Sequence, residues 1–362
     1  MIDLSLLPDG GIGWLEASGP SSHLVLSTRI RLARNLAGHR FATRITLRER
    51  QQVLDEVLDA AGQTRSLGQA VTLRVDALED WDRRLLLERH LISRELAGGT
   101  GPERPRNARA LVVQHEAAVM VNEEDHLRLQ VLASGVDFGS AWRRIESVDT
   151  ELGQRLAFAF DPEFGYLTSC PTNVGTGLRA SVLIHLPGLV LTKEINKTLH
   201  GLAKIGLTYR GLYGEGSEVV GNFFQLSNQT TLGKSEAELL EHLGAIVQHI
   251  IAVEERARKV LMRDAPTVLE DKCWRAFGLL RYARSLGFEE TMNLLSGVRL
   301  GVSLKVIPDV GMYALNKLLV FSQPAHLNSM AGRALPDEEM AIRRAEFVRQ
   351  TLEAEVRRGQ GT

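Results

Sequence analysis

The sequence predicts an α+β protein in which a strand-rich part is followed by an all-helical C-terminal part. Alternating apolar and polar residues recur between residues 23 and 227. From Ser235 onward, apolar residues recur at helical spacing almost to the C-terminus. Strands followed by a run of helices are typical of α+β chains. We therefore expect an N-terminal arm over residues 1–20, a strand-rich domain over 21–255 and a helical domain over 256–362.

Composition indicates a soluble globular protein of 362 residues with a formal net charge of -1. No apolar run approaches the roughly 20 residues that a membrane span needs, and the N-terminus lacks the basic region of a signal peptide. Two cysteines do not make a disulfide framework, so we expect a cytoplasmic protein. A neutral chain without a basic stripe makes a nucleic-acid binder a poor candidate.

Arginine dominates the basic residues, with 35 Arg and 8 Lys, and the first lysine is Lys193. A GC-rich genome is one explanation of this bias. Its consequence is that a phosphate site in the first half of the chain must be built from Arg, His, hydroxyls and backbone amides.

The first predicted strand, His23 to Leu36, has two different faces. One face carries Leu24, Leu26, Thr28, Ile30 and Leu32, and the other carries Val25, Ser27, Arg29, Arg31 and Ala33. Two arginines that project from one side of one strand suit a polyanion. The alternative is a solvated strand face.

The segments that follow alternate between helices and strands. Thr46 and Glu49 form a capping box, which predicts a helix to Leu58. Further helices are predicted over 81–96, with His90 inside, and over 138–156; strands are predicted over 72–75, 109–114, 117–122, 126–132 and 156–160. A lone histidine on a helix is more often structural than a ligand.

A tight turn between two of these strands is unusually acidic. It reads Asn122-Glu123-Glu124-Asp125, and Arg128 follows in the returning strand. A solvated hairpin tip is one interpretation. Because neighbouring carboxylates repel one another, a cationic group or a metal at this turn is the other.

The central segment, Cys170 to Leu183, begins as a loop and ends as a strand. Gly175 and Gly177 allow a sharp turn or close approach to a ligand, and Arg179 follows at once. An ordinary turn with a buried thiol is the alternative. A second Gly-rich loop, 210–218, carries Arg210, Glu215 and Glu218. The remaining elements are predicted as a helix over 192–205, a strand over 219–227 and helices over 236–262, 269–286, 288–295, 309–321 and 336–358.

Arginines on strands, Gly-rich loops and carboxylates at turns together indicate phosphoryl transfer. Fixed arginines neutralise the charge of a polyphosphate. Carboxylates close to a transferring phosphoryl group are unfavourable unless the acceptor is itself a cation. A guanidinium fits, because it pairs with carboxylates and must lose a proton before it attacks.

Four motifs in order, STRIRLARN, NEEDHLR, CPTNVGTGLRASV and RGLYGEGSE, resemble the phosphagen kinase superfamily. The arrangement, without that superfamily's usual N-terminal helical domain and with an extra C-terminal helical domain, resembles the bacterial protein-arginine kinase (McsB) family. The resemblance covers nearly the whole chain. It implies an antiparallel sheet flanked by helices, similar to glutamine synthetase, and it implies ATP with Mg2+.

The resemblance also implies roles for individual residues. Glu124 and Glu215 would be the catalytic carboxylates, as substrate clamp and base in an order that stays open, and Cys170 an orienting or electrostatic group. Asp125 would support the turn. The nucleotide would be lined by Ser27, Thr28, Arg29, Ile30, Arg31, His90, Arg128, Arg179, Ala180, Ser181, Val182, Leu183, Arg210, Gly211, Leu212, Tyr213, Gly214 and Glu215.

A motif that binds phosphoarginine in the C-terminal domain of that family is incomplete here. Arg344 and Ala345 match it, but its leading Arg and Asp are Met340 and Ala341. Allosteric sensing through Arg344 and Ala345 is therefore in doubt, and a solvated helix face over Arg343 and Arg344 is the alternative.

By resemblance, the chain phosphorylates exposed arginines of proteins and so marks them for Clp-type proteolysis. A zinc-binding activator protein, a heat-shock repressor, a Clp ATPase and a second copy of the chain are the implied partners. Two alternatives stay open. One is a kinase of free arginine or another small guanidine, and the other is a catalytically silent adaptor that binds phosphoarginine.

Overall fold

A computed structural model describes Leu7 and residues 11–41, 44–98, 107–211 and 220–359. Its centre is an eight-stranded sheet in which every neighbouring pair is antiparallel, in the order β2-β3-β4-β5-β1-β8-β10-β9. The strands are β1 (Val25–Arg34), β2 (Val71–Arg74), β3 (Ala110–Gln114), β4 (Ala117–Val121), β5 (Leu127–Ser134), β8 (Leu178–His185), β9 (Leu207–Gly211) and β10 (Phe223–Asn228). A separate hairpin joins β6 (Phe160–Asp161) to β7 (Gly165–Tyr166).

The helices lie on both sides of the sheet and dominate the C-terminal part. They are α1 (Leu47–Gly62), α2 (Asp80–Glu88), α3 (Arg94–Ala97), α4 (Phe138–Gly153), α5 (Pro187–Leu191), α6 (Ile195–His200), α7 (Glu236–Asp264), α8 (Pro266–Tyr282), α9 (Phe288–Ser303), α10 (Met312–Phe321), α11 (Pro324–Ala331) and α12 (Asp337–Gly359). Among the described residues, none of these helices is both long and apolar enough to cross a bilayer.

One face of the sheet is fully covered. Ile30 and Leu32 of β1 pack with Val182 of β8 and with apolar residues of α1, α4, α5 and α7 in one buried cluster. Burial of these side chains at roughly 25 cal/mol per Å2 is the main force that holds the helices on this face.

The opposite face is covered at its two ends and, beside Leu132 of β5, by Trp14 and Leu15. Leu111 and Met120 pack under α2, α3 and their connection at one end. Leu26, Leu183 and Phe223 pack against α8, α9, α10 and α12 at the other. The middle of this face stays open between the two covers, and that opening is where the functional site is built.

Most predicted elements are present, and the differences have physical causes. The capping box of Thr46 and Glu49 is confirmed at the start of α1, where each side chain bonds the other's backbone N–H. A β-bulge between Val25 and Ser27 reverses the face of Leu26, which packs with the C-terminal helices and not with Ile30. That prediction was wrong because a bulge adds one residue to a strand and shifts the alternation.

Three predicted spans are shorter or divided. The helix predicted over 81–96 ends at Glu88, and the predicted helix over 192–205 contains only α6 and a short 3-10 turn. The strand predicted over 156–160 is reduced to the two residues of β6. The helix α7 runs without a break through residue 255, so the proposed domain boundary falls within a continuous helix.

Candidate active site

Five arginines from four strands project from the open face of the sheet. Arg31 on β1 lies opposite Arg179 on β8, and Ala33, two residues along from Arg31, lies opposite Arg128 on β5. The others are Arg29 on β1 and Arg210 on β9, the latter opposite Gln225 of β10. Antiparallel pairing brings these side chains to one face because residues two apart on a strand share a face. Four strands, β5, β1, β8 and β9, therefore supply the charge of a single basic surface.

These arginines line a cavity of about 520 Å3. Its wall also contains residues from α2, the α2–α3 connection, the acidic turn and the Cys170 loop: Ala33, Leu87, Glu88, His90, Ile92, Ser93, Arg94, Glu95, Glu124, Cys170, Thr172, Asn173, Gly177, Gln225 and Gln323. A cavity of this volume is large enough for a nucleotide-sized ligand. Cations line its centre and a carboxylate, Glu124, lies beside them.

Burial, reinforced by repulsion from neighbouring arginines, lowers the pKa of two arginines of β1. Burial lowers the pKa of Arg29 to about 10, with Arg128 and Arg179 adding repulsion. Burial and the neighbouring Arg29, Arg128 and Arg179 hold the pKa of Arg31 well below its usual value. The Nε of Arg31 is buried and has no hydrogen-bond partner among the described residues. A multiply charged anion in the cavity would relieve these costs.

His90 lies in the wall of the same cavity, at a left-handed backbone position with φ of 59° just after α2. It is therefore not inside a helix, contrary to the sequence prediction. Its carbonyl accepts a hydrogen bond of 2.7 Å from Gln130 Nε2, and Trp14 meets its ring edge-on at 5.4 Å. Burial and the nearby Arg29 lower the pKa of His90 to about 3. The imidazole is therefore neutral at physiological pH, and it gives the cavity wall a polar but uncharged group.

The acidic turn between β4 and β5 is neutralised from within by Arg128. Its Nη1 donates to Glu123 Oε1 at 2.7 Å, and its Nη2 donates to Glu124 Oε2 at 3.0 Å. Glu123 is buried and also accepts from Ser93 Oγ and from the backbone N–H of Glu124. The cationic group that the sequence predicts for this turn is thus a residue of the chain itself, and the described residues hold no cluster of three or more metal-ligand side chains.

Glu124 is the carboxylate of this turn that remains accessible, with 38% of its side chain exposed. Burial raises its pKa; Arg128 opposes this, and Glu123, Asp125 and Glu95 reinforce it. A carboxylate with a raised pKa beside a cationic cavity is suited to accept a proton.

Asp125 points away from the cavity and connects two loops. Its Oδ1 accepts from Asn35 Nδ2 at 2.7 Å and from the backbone N–H of Ser169 at 2.6 Å. Asn35 also accepts from the N–H of His126 and donates to the carbonyl of Leu167. The turn that carries Glu124 and the loop that carries Cys170 are therefore tied to the end of β1. Cys170 is partly buried, and its Sγ lies 3.0 Å from Thr172 Oγ1.

Arg34 holds the glycine-rich part of this loop from beneath. It is only 1% exposed, pairs with both carboxylate oxygens of Asp149, and donates from Nη1 to the Thr176 carbonyl at 2.9 Å. Tyr166 covers its guanidinium at 3.5 Å. Gly177, with φ of 64°, lies so close that a Cβ there would meet the Ala33 carbonyl at 2.6 Å. Glycine is required at this position because the backbone is left-handed and has no room for a side chain.

The predicted site residues fall into four groups. Arg29, Arg31, His90, Glu124, Arg128, Cys170, Arg179 and Arg210 share the large cavity. Ser27, Ser181 and Leu183 line a small adjoining cavity that also touches Arg29 and His90. Thr28, Ile30, Ala180 and Val182 are buried on the other face of the sheet, so only their backbone is available to a ligand. Gly211 ends β9, and Leu212, Tyr213, Gly214 and Glu215 lie outside the described residues.

Arg344 and Ala345 lie in the helical part and are buried. Arg344 Nε donates to the Ser322 carbonyl at 2.8 Å and Nη1 to the Leu286 carbonyl at 2.9 Å. Arg343 is exposed beside Glu346. The interpretation of both arginines as one solvated helix face is therefore correct for Arg343 and wrong for Arg344.

Sequence reasoning missed several residues of the cavity wall. Ser93 and Glu95 belong to a capped turn, which the sequence signals as Ser-Arg-Glu. Gln323 comes from the start of α11, and Glu88 of the same wall accepts from the N–H groups of Ala325 and His326. No local signal connects Gln323 to residues more than 200 positions earlier, because the contact depends on how the C-terminal helices pack.

Two family models match the chain. Residues 51–257 match the model described as ATP:guanido phosphotransferase, C-terminal catalytic domain, and residues 266–361 match the protein-arginine kinase McsB C-terminal domain. A protein-arginine kinase from Symbiobacterium thermophilum is 46% identical over 348 residues, which cover 94% of this chain and 96% of that protein. The protein-arginine kinase from Geobacillus thermodenitrificans is 43% identical, with coverage of 95% and 94%.

Solved structures of guanidine kinases share the fold. The duplicated taurocyamine kinase from Schistosoma mansoni, with bound transition state analog components, matches with a TM-score of 0.59 and 27% identity. The match covers 70% of this chain and 35% of that duplicated chain, so this chain spans about a third of it. A lombricine kinase matches with a TM-score of 0.56 and 24% identity over 70% of each chain.

Proposed function

The chain belongs to the protein-arginine kinase family of the ATP:guanido phosphotransferases, and from this membership we propose how its residues carry out the reaction. It is a protein-arginine kinase, and ATP is its phosphoryl donor. The observation that supports the proposed chemistry best is the position of Glu124 in the wall of a cavity that is also lined by the five arginines of the sheet. One side of the site suits a triphosphate and the other suits a guanidinium.

The arginines of the cavity bind the phosphates of ATP. Burial first, and neighbouring arginines second, lower the pKa of Arg29 and Arg31, so both side chains are costly to keep charged before the nucleotide arrives. Binding of a triphosphate offsets that cost. Since phosphoryl transfer depends mainly on positioning and neutralisation of charge, the same arginines stabilise the transition state.

ATP would be bound together with Mg2+. The residues present fit this ion, since Mg2+ with nucleotides usually takes only one or two protein carboxylates, and Glu88, Glu95 and Glu124 line the cavity. The metal adds charge neutralisation at the phosphates. Glu124 is the cavity carboxylate beside Arg128 that could approach it through water.

Glu124 pairs with the substrate guanidinium and accepts a proton from it. The freed nitrogen lone pair forms the N–P bond as the bond from the γ-phosphorus to the bridging oxygen breaks, and ADP leaves with that electron pair. Glu215 is the second carboxylate by family resemblance. Together, Glu124 and Glu215 hold the guanidinium and remove its proton. Cys170 lines the same end of the cavity and orients the guanidinium.

The cellular role follows the family. We propose that phosphoarginine on target proteins marks them for Clp-type proteolysis and regulates the heat-shock response in the cytoplasm. A zinc-binding activator, a heat-shock repressor and a Clp ATPase are the proposed partners. Residues 256–362 are proposed as a helical domain for dimerisation and docking, and Arg344 with Ala345 as the remnant of a phosphoarginine site.

The experiment that tests the proposed reaction compares two acceptors. Purified protein is incubated with Mg-ATP and either an arginine-rich protein or free arginine, and acid-labile phosphate is assigned by 31P NMR or mass spectrometry. We expect phosphoarginine on the protein acceptor. Phosphate on free arginine alone would replace the proposal with a metabolite kinase, and no transfer in the presence of an activator would favour the silent adaptor.

A further inference from the structure

The β6–β7 hairpin has a pair of exposed aromatic side chains beside the active-site loop. Phe160 is 58% exposed and Phe164 is 47% exposed. The hairpin is nevertheless anchored at its base, where Tyr166 covers Arg34 at 3.5 Å and meets Phe160 edge-on at 5.3 Å. Phe160 lies in β6 opposite Tyr166, and Phe164 lies in the turn. The exposure of two large apolar side chains on one ordered hairpin is not explained by packing within the described part of the chain.

The hairpin is continuous with the end of the cavity where the acceptor arrives. Tyr166 exchanges backbone hydrogen bonds with Gly175, at 2.8 Å and 3.2 Å. Between these two residues the chain passes through Cys170, Thr172 and Asn173, which line the cavity. A ligand that enters this end and continues outward therefore meets the hairpin.

The charged side chains of this region are all acidic. Residues 156–178 contain Asp161 and Glu163 and no Lys or Arg. Asp161 has a structural use, because its Oδ1 accepts from the N–H groups of Glu163 and Phe164. The carboxylate of Glu163 is exposed and forms no ion pair within 4 Å among the described residues. Exposed phenyl rings beside carboxylates are complementary to Arg and Lys, whose alkyl stems pack on rings and whose charged ends remain in water.

We propose that the acidic aromatic hairpin Phe160–Tyr166 is the docking surface for the protein substrate. It binds a basic segment that flanks the acceptor arginine, with a second Arg or Lys side chain across Phe160 and Phe164 and its charge near Glu163. The proposal rests on the proposed function, since it assigns to that reaction a preference for arginines in basic surroundings. The proposal predicts that the enzyme selects acceptor arginines by the basic residues that flank them, and not by the acceptor side chain alone.

Peptide binding is measured separately from phosphorylation. The docking proposal and the proposed function can then be contradicted by different results. A fluorescently labelled 15-residue peptide with one central Arg and three flanking Lys is titrated with wild-type protein, with Phe160→Ser/Phe164→Ser and with Glu163→Lys. Anisotropy gives the Kd, and phosphorylation of the same peptide and of N-acetylargininamide gives KM. The matched control, Leu47→Ser/Ile205→Ser, removes two comparably exposed apolar residues that lie outside the cavity wall and outside residues 256–362.

We expect the Phe double variant and Glu163→Lys to raise the Kd and KM for the peptide about tenfold, as the loss of one or two cation–π contacts predicts. The KM for N-acetylargininamide and for ATP, and all values of the control variant, should stay within twofold. Unchanged peptide binding, or an equal rise for both acceptors, overturns the docking proposal. A change in the mass by light scattering in the Phe variant alone would assign the hairpin to a second copy and also overturn it. Wild type that binds the peptide without phosphorylating it would count against the proposed function alone.

Discussion

Asn35 donates a hydrogen bond of 2.7 Å to Asp125, although 90 positions separate the two residues in the chain. The same Asp125 oxygen accepts from the N–H of Ser169, next to Cys170. Asn35, the residue that follows β1, therefore helps to fix the distance between the Glu124 turn and the Cys170 loop. Neither Asn35 nor Asp125 lines the cavity, so both affect the reaction by positioning Glu124 and Cys170.

Asn35→Ala should lower both stability and kcat. The substitution removes bonds to Asp125, His126 and Leu167 and leaves buried polar groups unpaired, which costs about 2–4 kcal/mol. Urea unfolding measures the loss of stability. Steady-state kinetics should show a fall in kcat with the KM for ATP nearly unchanged, because the arginine cluster is left in place. An equal rise in the KM for ATP would contradict a positioning role confined to the acceptor side.

Glu124→Gln should abolish phosphoryl transfer and leave nucleotide binding largely intact. Loss of a general base typically costs about 10^2–10^4 in rate. The exposed Glu146→Gln on α4 is a matched control that should keep full activity. Calorimetric titration with Mg-ATP should give a Kd within a few fold of wild type. Full activity in Glu124→Gln would remove the residue from the mechanism.

The pH dependence of kcat in the wild type tests the same role of Glu124 as the proton acceptor. Burial raises the pKa of Glu124, so the ionised base is lost at a higher pH than an ordinary glutamate would allow. We expect kcat to fall with decreasing pH through that raised pKa, which places the acidic limb above 4.5. A rate that stays constant down to the ordinary glutamate range would show that Glu124 does not act as the base.

Arg31→Met should stabilise the free protein while it weakens ATP binding. Burial and three neighbouring arginines disfavour the charge of Arg31, so an apolar side chain of similar length relieves about 1–2 kcal/mol. Thermal unfolding should show a higher Tm without ligand and a much smaller increase on addition of Mg-ATP. Arg275→Met, at an arginine with 77% of its side chain exposed, is the control and should alter neither value. A lower Tm combined with an unchanged response to ATP would contradict the interpretation.

The strands and the basic face could be predicted because alternation is local. Arg29 and Arg31 share a face in any extended conformation, and the acidic turn is readable as four polar residues between two apolar runs. The fold class, the family and the kinase activity are confirmed. The pairing of Arg31 with Arg179 needed the sheet order, which periodicity does not supply.

The errors occur where tertiary contacts override local preference. Leu26 changes face because of a bulge, and His90 lies after the end of the predicted helix, at a left-handed position beside Trp14. Arg344 resembles a surface arginine in sequence, yet it satisfies two backbone carbonyls in the interior. In each case, contacts with residues distant in sequence accompany the observed position, and a single sequence does not identify those contacts.

His90→Asn should reduce the loss of stability that acid causes. Burial lowers the pKa of His90 to about 3, whereas in the unfolded chain it is 6.5. The unfolded state therefore binds a proton first, and stability that is complete above pH 6.5 is lost as the pH falls toward 3. Between pH 7 and pH 5 this amounts to about 2 kcal/mol for one histidine. Asn accepts the left-handed backbone at this position and does not titrate. Urea unfolding at the two pH values should show a loss about 2 kcal/mol smaller in the variant, and an identical loss in both proteins would mean that His90 titrates normally in the folded state.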